Sequence, residues 1–331
     1  SPTDSSTRAS ARRKREKASE GLREGAVTAA IPQEQQQTTA WKDSTLGAAL
    51  LRLRMAQAAL GSRFKFSVAL LLAVIAFAVA GPYVFDKQDP KKIVGLLYDA
   101  PSSNAWLGTD NFGRDVFTQL MYGTRTSLTI GLIAGAVATG IGVAIGTVAG
   151  FRGGLIEEAL MGITNIVITI PSIVILILLS IAVGDRKLST MALIIGITSW
   201  PWTARAVRAQ ASSLRSREHV EVARMCGAGT ISLIAWEIIP FMMSYVFLAF
   251  VLQMASGILQ EAALSLLGLG PGGSTISLGI MLYWSLLWES VRTGAWWAFV
   301  PPTVFLTMIA FSLLLLQSSL DEIFNPRLRR R

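Results

Sequence analysis

Long apolar runs separated by short polar breaks set the pattern of this 331-residue chain. Six runs reach the length of about 20 residues that a helix needs to cross a hydrocarbon layer. They are residues 67–86, 126–150, 157–183, 189–208, 238–266 and 297–320. A bilayer offers no water to backbone N–H and C=O groups, so such runs read as helices. The pattern therefore predicts an all-α membrane protein with six transmembrane helices. The first 44 residues have no run of this kind. They combine Ser and Thr with Gln35-Gln36-Gln37 and the cluster Arg12-Arg13-Lys14-Arg15, which reads as a disordered basic tail with too few large apolar residues for a core. Between tail and first run, residues 45–66 interleave Leu46, Leu50, Leu51, Leu53 and Met55 with Arg52 and Arg54, the pattern of a helix lying on a membrane surface. A secretory leader carries its apolar stretch directly behind its charges, whereas the first long run here begins near Phe66, so the tail is expected to stay in the cytoplasm.

Composition sharpens the class. Hydrophobic residues make up 52% of the chain and charged residues only 15%, against about 25% charged in an ordinary soluble domain. The net charge of +9 does not point to nucleic acid, because the basic residues fall at the ends and between apolar runs, where they suit a membrane surface. Lys87, Lys91, Lys92, Arg114, Arg125, Arg186, Lys187 and Arg292 would lie outside; the other 22 of the 30 Lys and Arg would lie inside. The bias predicts both termini in the cytoplasm. The single cysteine, Cys226, excludes an internal disulfide framework.

The runs are not plain anchors. Gly131, Gly135, Gly140, Gly142, Gly146 and Gly150 recur through the second, where small residues let helix backbones approach, so this helix is expected to pack centrally. Pro171, Pro201, Pro240 and Pro301-Pro302 mark kinks or helix starts. Between the fourth and fifth runs, Arg217 to Gly227 has helical spacing, with Val220, Ala223 and Gly227 on one side and charges on the other. A short amphipathic helix there would present small side chains to a groove on a partner, and a glycine would permit close backbone approach.

The same loop carries Glu221-Val222-Ala223, then Gly227, then Glu237-Ile238-Ile239-Pro240. This spacing resembles the coupling-helix signature of ATP-binding-cassette (ABC) importer permeases. Further blocks follow in order: Trp106-Leu107-Gly108-Thr109-Asp110-Asn111-Phe112-Gly113-Arg114-Asp115-Val116 with Tyr122-Gly123-Thr124-Arg125-Thr126-Ser127-Leu128, then Ala149-Gly150-Phe151-Arg152-Gly153-Gly154, Trp200-Pro201-Trp202-Thr203-Ala204-Arg205-Ala206-Val207-Arg208, and Ile258 to Gly270. Together, over about residues 65–329, they resemble the dipeptide/oligopeptide/nickel group of these permeases, in the subunit type with a Gly-Thr-Asp block before its second span. The resemblance implies a type I ABC importer permease fold over residues 67–329 with a cytoplasmic coupling helix at about 215–228. It implies a non-catalytic subunit forming half of a path for peptides or similar small substrates in a prokaryotic inner membrane. The partners it implies are a second homologous permease, two ATP-binding subunits and an extracytoplasmic substrate-binding protein, with ATP and Mg on the partners and no cofactor or metal on this chain. Glu221, Ala223, Gly227, Arg217 and Arg224 would dock the ATPase.

Two departures stand out. Such permeases usually carry an Arg and an Asp three residues apart in the third span, where this chain has Gly162 and Asn165; both charges are absent together, which leaves none unpaired. Glu237 stands where relatives often have His. Gly108 to Gly113 has the four-residue gap of a phosphate loop but continues Arg114-Asp115 rather than Lys-Ser/Thr, which argues against ATP binding. The lone His219 falls in the docking segment and supports neither a metal cluster nor a catalytic triad. Glu261, beside Gln260, is a carboxylate inside a span, costly unless it faces protein, water or a cation; it would line the path or an outer gate, or sit as a helix-end residue in water. Asp110, Arg114 and Asp115 would contact a binding protein or hold their loop against the bundle. The rivals are a stand-alone secondary transporter, which calls for inverted repeats and paired intramembrane acids, and, within the group, a nickel or glutathione-type importer.

Overall fold

A computed structural model describes residues 61–87, 89–272 and 275–324. The tail of residues 1–44, residues 45–60 of the surface helix and the terminal basic cluster lie outside the described residues. Residues 62–66, assigned from the sequence to that surface helix, instead continue into the first apolar helix, α1 (Ser62–Val84). There follow α2 (Val116–Arg152), α3 (Gly154–Thr169), α4 (Ser172–Val183), α5 (Leu188–Arg215), α6 (Glu218–Met225), α7 (Thr230–Leu266), α8 (Leu278–Leu287) and α9 (Trp296–Phe324). Among the described residues, α1, α2, α7 and α9 are each long and apolar enough to cross a membrane, and α3 with α4 makes a fifth if the bent pair counts as one span.

The third run departs from expectation. Rather than one helix over 157–183, α3 and α4 meet at an 86° bend. Ile170 is extended (φ −83°, ψ 127°) and Pro171 follows it. Proline disfavours helical backbone in the residue before it and has no N–H to continue the ladder, so the first helix ends and a second starts. A related effect shapes α7. Without an N–H, Pro240 cannot bond the carbonyl of Trp236; Leu233–Ile238 widens into a π turn, Ile239 N–H donates to the Ile234 carbonyl at 3.0 Å, and a 3₁₀ turn over Pro240–Met242 precedes the regular helix.

The glycine-rich α2 lies at the centre, as expected, and uses two glycine faces. A Cβ on Gly135 would lie 2.9 Å from Met254 N, while one on Gly142 would lie 2.6 Å from Thr203 Cβ and one on Gly146 2.5 Å from the Ala204 carbonyl. The Gly131–Ile258 and Gly135–Met254 pairings make α7 antiparallel to α2; Gly142–Thr203 and Gly146–Val207 make α5 parallel to it. Lipid is as apolar as leucine, so backbone proximity and packing hold these helices together. Gly140, by contrast, faces open space.

Two connections end in structure that positions the site. The loop of residues 85–115 is closed by Val94 N–H to the Gly113 carbonyl at 2.8 Å and Thr109 Oγ1 to the Leu96 carbonyl at 2.6 Å, and Trp297 Nε1 donates to the Thr109 carbonyl at 3.1 Å. At the far end of α7, ten-residue α8 buries Leu278, Gly279, Met281 and Ser285. At about 1.5 Å per residue it is too short to span.

Candidate functional site

The segment expected to dock a partner is a helix, α6, bounded by Arg217 at its N-cap and Cys226 at its C-cap. Glu218 and Glu221 in its first turn complement the positive N-terminal end of the helix dipole. Val220 is wholly buried with Phe151, Val207, Ala211, Leu233, Ile238 and Met242, and half-buried Ala223 packs against the same cluster. Burial of a valine is worth about 1.5–3 kcal/mol, so this face anchors α6 to its own chain. Val220 therefore faces its own chain and not a partner, while Ala223 keeps part of its surface exposed. The free face is the stripe Glu218, Glu221, Val222 and Met225, at i, i+3, i+4 and i+7, with Val222 53% and Met225 80% exposed.

The other docking candidates, Arg217, Arg224 and Gly227, are all exposed. The Arg224 guanidinium lies over the Phe151 ring at 6.0 Å. Gly227 has φ +84°, and a Cβ there would meet nothing within 4 Å. Its conformation is one that L side chains adopt only at a cost. His219 stacks on Phe241 at 4.1 Å, and Glu237 is half-buried in the π turn. Sequence reasoning missed Val222 and Met225, although their helical spacing to Glu218 was available.

A groove of mixed polar and apolar lining runs beside the α3–α4 bend, between α5 and α7. One part is lined by Pro171, Ser199, Pro201, Trp202, Gln253, Ser256 and Gln260; the next, about 480 Å³, shares Trp202, Gln253 and Ser256 and adds Thr203, Tyr245, Gln317 and Asp321. Its polar groups are held in place: Gln253 Nε2 donates to Thr203 Oγ1 at 2.7 Å and to the Ser199 carbonyl at 2.8 Å, and Gln260 Nε2 donates to Ser256 Oγ at 2.9 Å. The bend is tied to α5 by Arg208 Nη1 to Glu157 at 2.7 Å and by Arg205 Nη2 to Asn165 Oδ1 at 2.7 Å. Asn165 thus gives Arg205 a neutral partner, and a Cβ on Gly162 would meet nothing within 4 Å.

Gln260 therefore lines the groove and Glu261 does not. Glu261 is 0% exposed and accepts hydroxyl hydrogen bonds from Ser127, Ser265 and Ser277. Its carboxyl group is thus set among protein hydroxyls rather than in the groove or in water. Asp110 and Asp115 hold their own loop. Asp110 accepts from Phe112 N, Arg114 N and Gln119 Nε2, and Asp115 caps α2, accepts from Thr118 Oγ1 and pairs with Lys87 at 3.1 Å. Arg114 lies over Phe112 at 4.6 Å. In the same loop, burial and then the Asp110 charge raise the pKa of Tyr98. Among the described residues no group of three or more His, Cys, Asp or Glu converges to hold a metal.

Comparison with known proteins places this geometry. Residues 142–330 match the family described as binding-protein-dependent transport system inner membrane component. The dipeptide transport system permease protein DppC of Bacillus subtilis (strain 168) is 32% identical over 261 residues, 79% of this chain and 81% of the relative. The oligopeptide transport system permease protein OppC of the same organism is 32% identical over 291 residues, 88% of this chain and 90% of the relative. Among solved structures, an inward-facing MetNI methionine ABC transporter aligns with 64% of this chain and 97% of its own, at 18% identity and a TM-score of 0.48. The chain belongs to the family of binding-protein-dependent transport system inner membrane components and, with its apolar helices, is a multi-pass inner-membrane permease.

Proposed function

We propose that this chain is one of two homologous permease subunits of an ABC importer and forms half of the path for peptides or similar small substrates. The observation that carries the substrate class is the 32% identity to DppC and OppC over about four fifths of the chain or more. The part of the groove beside the bend suits it: its amides and hydroxyls (Gln253, Gln260, Ser199, Ser256) match main-chain amides of any sequence, and Asp321 lies in the adjoining part. Two ATP-binding subunits and an extracytoplasmic binding protein complete the assembly. ATP and Mg belong to those partners, and this chain does no chemistry.

In this reading α5 crosses the membrane as the fourth of six spans, its Arg205 and Arg208 paired with Asn165 and Glu157, and the fold is that of a type I importer. Both termini lie in the cytoplasm with α6, as the Lys/Arg bias requires. Closure of the ATPases on ATP pushes α6 through Glu221, Val222, Met225 and Gly227, with Arg217 and Arg224 on its flanks. Because Val220 and Ala223 fasten α6 to the ends of α2, α5 and α7, the push reaches the groove, which alternates between the two sides.

Purification of the tagged chain from its native membrane in mild detergent, with mass spectrometry and an ATPase assay, tests this. Two ATP-binding proteins, a second permease and a solute-binding lipoprotein should co-purify, with ATPase activity stimulated by peptide. Repeated recovery of the chain without an ATPase would overturn the reading in favour of a stand-alone transporter.

A further inference from the structure

One turn of α7 faces two ways. Successive helical residues point about 100° apart, so Gln260 lines the groove while its neighbour Glu261 points into the bundle. Ser265 Oγ and Ser277 Oγ donate to Glu261 Oε1 at 2.7 and 2.6 Å, and Ser127 Oγ donates to Oε2 at 3.1 Å. These serines belong to α7, the N-cap of α8 and α2.

Two of the hydroxyls also accept. Ser127 Oγ receives Leu278 N–H at 3.2 Å and Ser277 Oγ receives Ile280 N–H at 3.1 Å. The first amides of a helix have no partner within it, and when buried they need one. Through two serines, one carboxylate therefore orders the caps of a buried helix start. All three hydroxyl bonds run from serine to the Glu261 carboxyl oxygens, which leaves lone pairs of Ser127 and Ser277 to the α8 amides. Packing closes the joint: a Cβ on Gly279 would lie 2.7 Å from Ala262 Cα and from Ser265 Cβ.

We propose that Glu261 is a positioning residue for translocation: it pins the start of α8 to α2 and α7 and so fixes the rotation of α7 that keeps Gln253, Ser256 and Gln260 in the groove. The proposal rests on the groove being this chain's share of the path. Substitution by Gln keeps the shape but replaces one acceptor oxygen with an NH₂ donor, forcing at least one hydroxyl to reverse.

Hydrogen–deuterium exchange on the purified assembly, with parent, Glu261→Gln and Ser277→Ala, tests the pin directly. The expected result is exchange up to about tenfold faster at amides 278–281 in both variants, as loss of one hydrogen bond gives, with α2 and the rest of α7 as in the parent. The maximal peptide-stimulated ATPase rate should fall in parallel, while the KM for loaded binding protein holds. Parent-like protection of 278–281 in both variants would overturn the proposal. So would exchange rising equally along α2 and α7, which marks a general stability role. Faster exchange at 278–281 with an unchanged stimulated rate would also overturn the positioning role. Failure of the permease reading is recognised separately, by absence of an ATPase in the assembly.

Discussion

Gly227 combines two properties that separate conformation from contact. Its φ of +84° disfavours any L side chain, yet a Cβ there would touch nothing. The only intramolecular cost of Gly227→Ala is then backbone strain, about 1–2 kcal/mol, and Asn, which tolerates this region, should cost less. Thermal unfolding of the purified assembly should rank Gly227→Asn closer to the parent than Gly227→Ala; the reverse order would mean that the glycine is kept for lack of bulk alone. Val220 is the complementary case, wholly buried under α6. Val220→Ala should destabilise by about 1–3 kcal/mol in the same measurement and loosen α6 from its own chain.

At the scale of elements, α2 offers a paired control. A side chain on Gly146 runs into the backbone of α5, while one on Gly140 meets open space. Gly146→Ala should cost about 1–3 kcal/mol, and Gly140→Ala should be neutral or gain up to about 1 kcal/mol from helix propensity. Thermal unfolding of the two variants in one detergent checks this, and equal effects would contradict the packing described for α2. The loop of residues 85–115 meets the chain beyond α8 through Tyr98, whose hydroxyl donates to the Trp288 carbonyl at 3.3 Å. Burial, then the Asp110 charge, holds this phenol above its ordinary 10.0. A raised acid pKa favours the protonated form, so the contribution is complete below pH 10 and is lost as pH rises through the folded value. Stability measured between pH 8 and 11 should fall more steeply in the parent than in Tyr98→Phe.

These elements also show how far the chain could be read in advance. Lipid forces helices on long apolar runs, so the locations of α1, α2, α7 and α9 were legible from length and hydropathy alone. Pro171 announced a break, but its 86° bend depends on what α4 packs against. At ten residues α8 was invisible, because a buried helix that short gives neither spanning length nor a clear stripe. The setting of Glu261 was not legible, since two of its three partners stand 134 and 16 residues away. The two faces of α6 were legible as stripes; that the small-residue face is the anchored one depends on Phe151, Val207 and Met242 arriving from elsewhere.

For the molecule as a whole, we propose that this permease turns the motion of partner ATPases into access along the groove, with α6 as a push point. ATP-driven peptide uptake into proteoliposomes by assemblies carrying parent chain or Gly227→Asp tests it most directly. Asp tolerates the backbone conformation better than most residues and puts a charged side chain into the open space beside Gly227. The account predicts that the variant chain stays in the membrane while uptake falls by about tenfold or more, the effect of some 1.4 kcal/mol at the coupling contact. Uptake at the parent rate would contradict the claim.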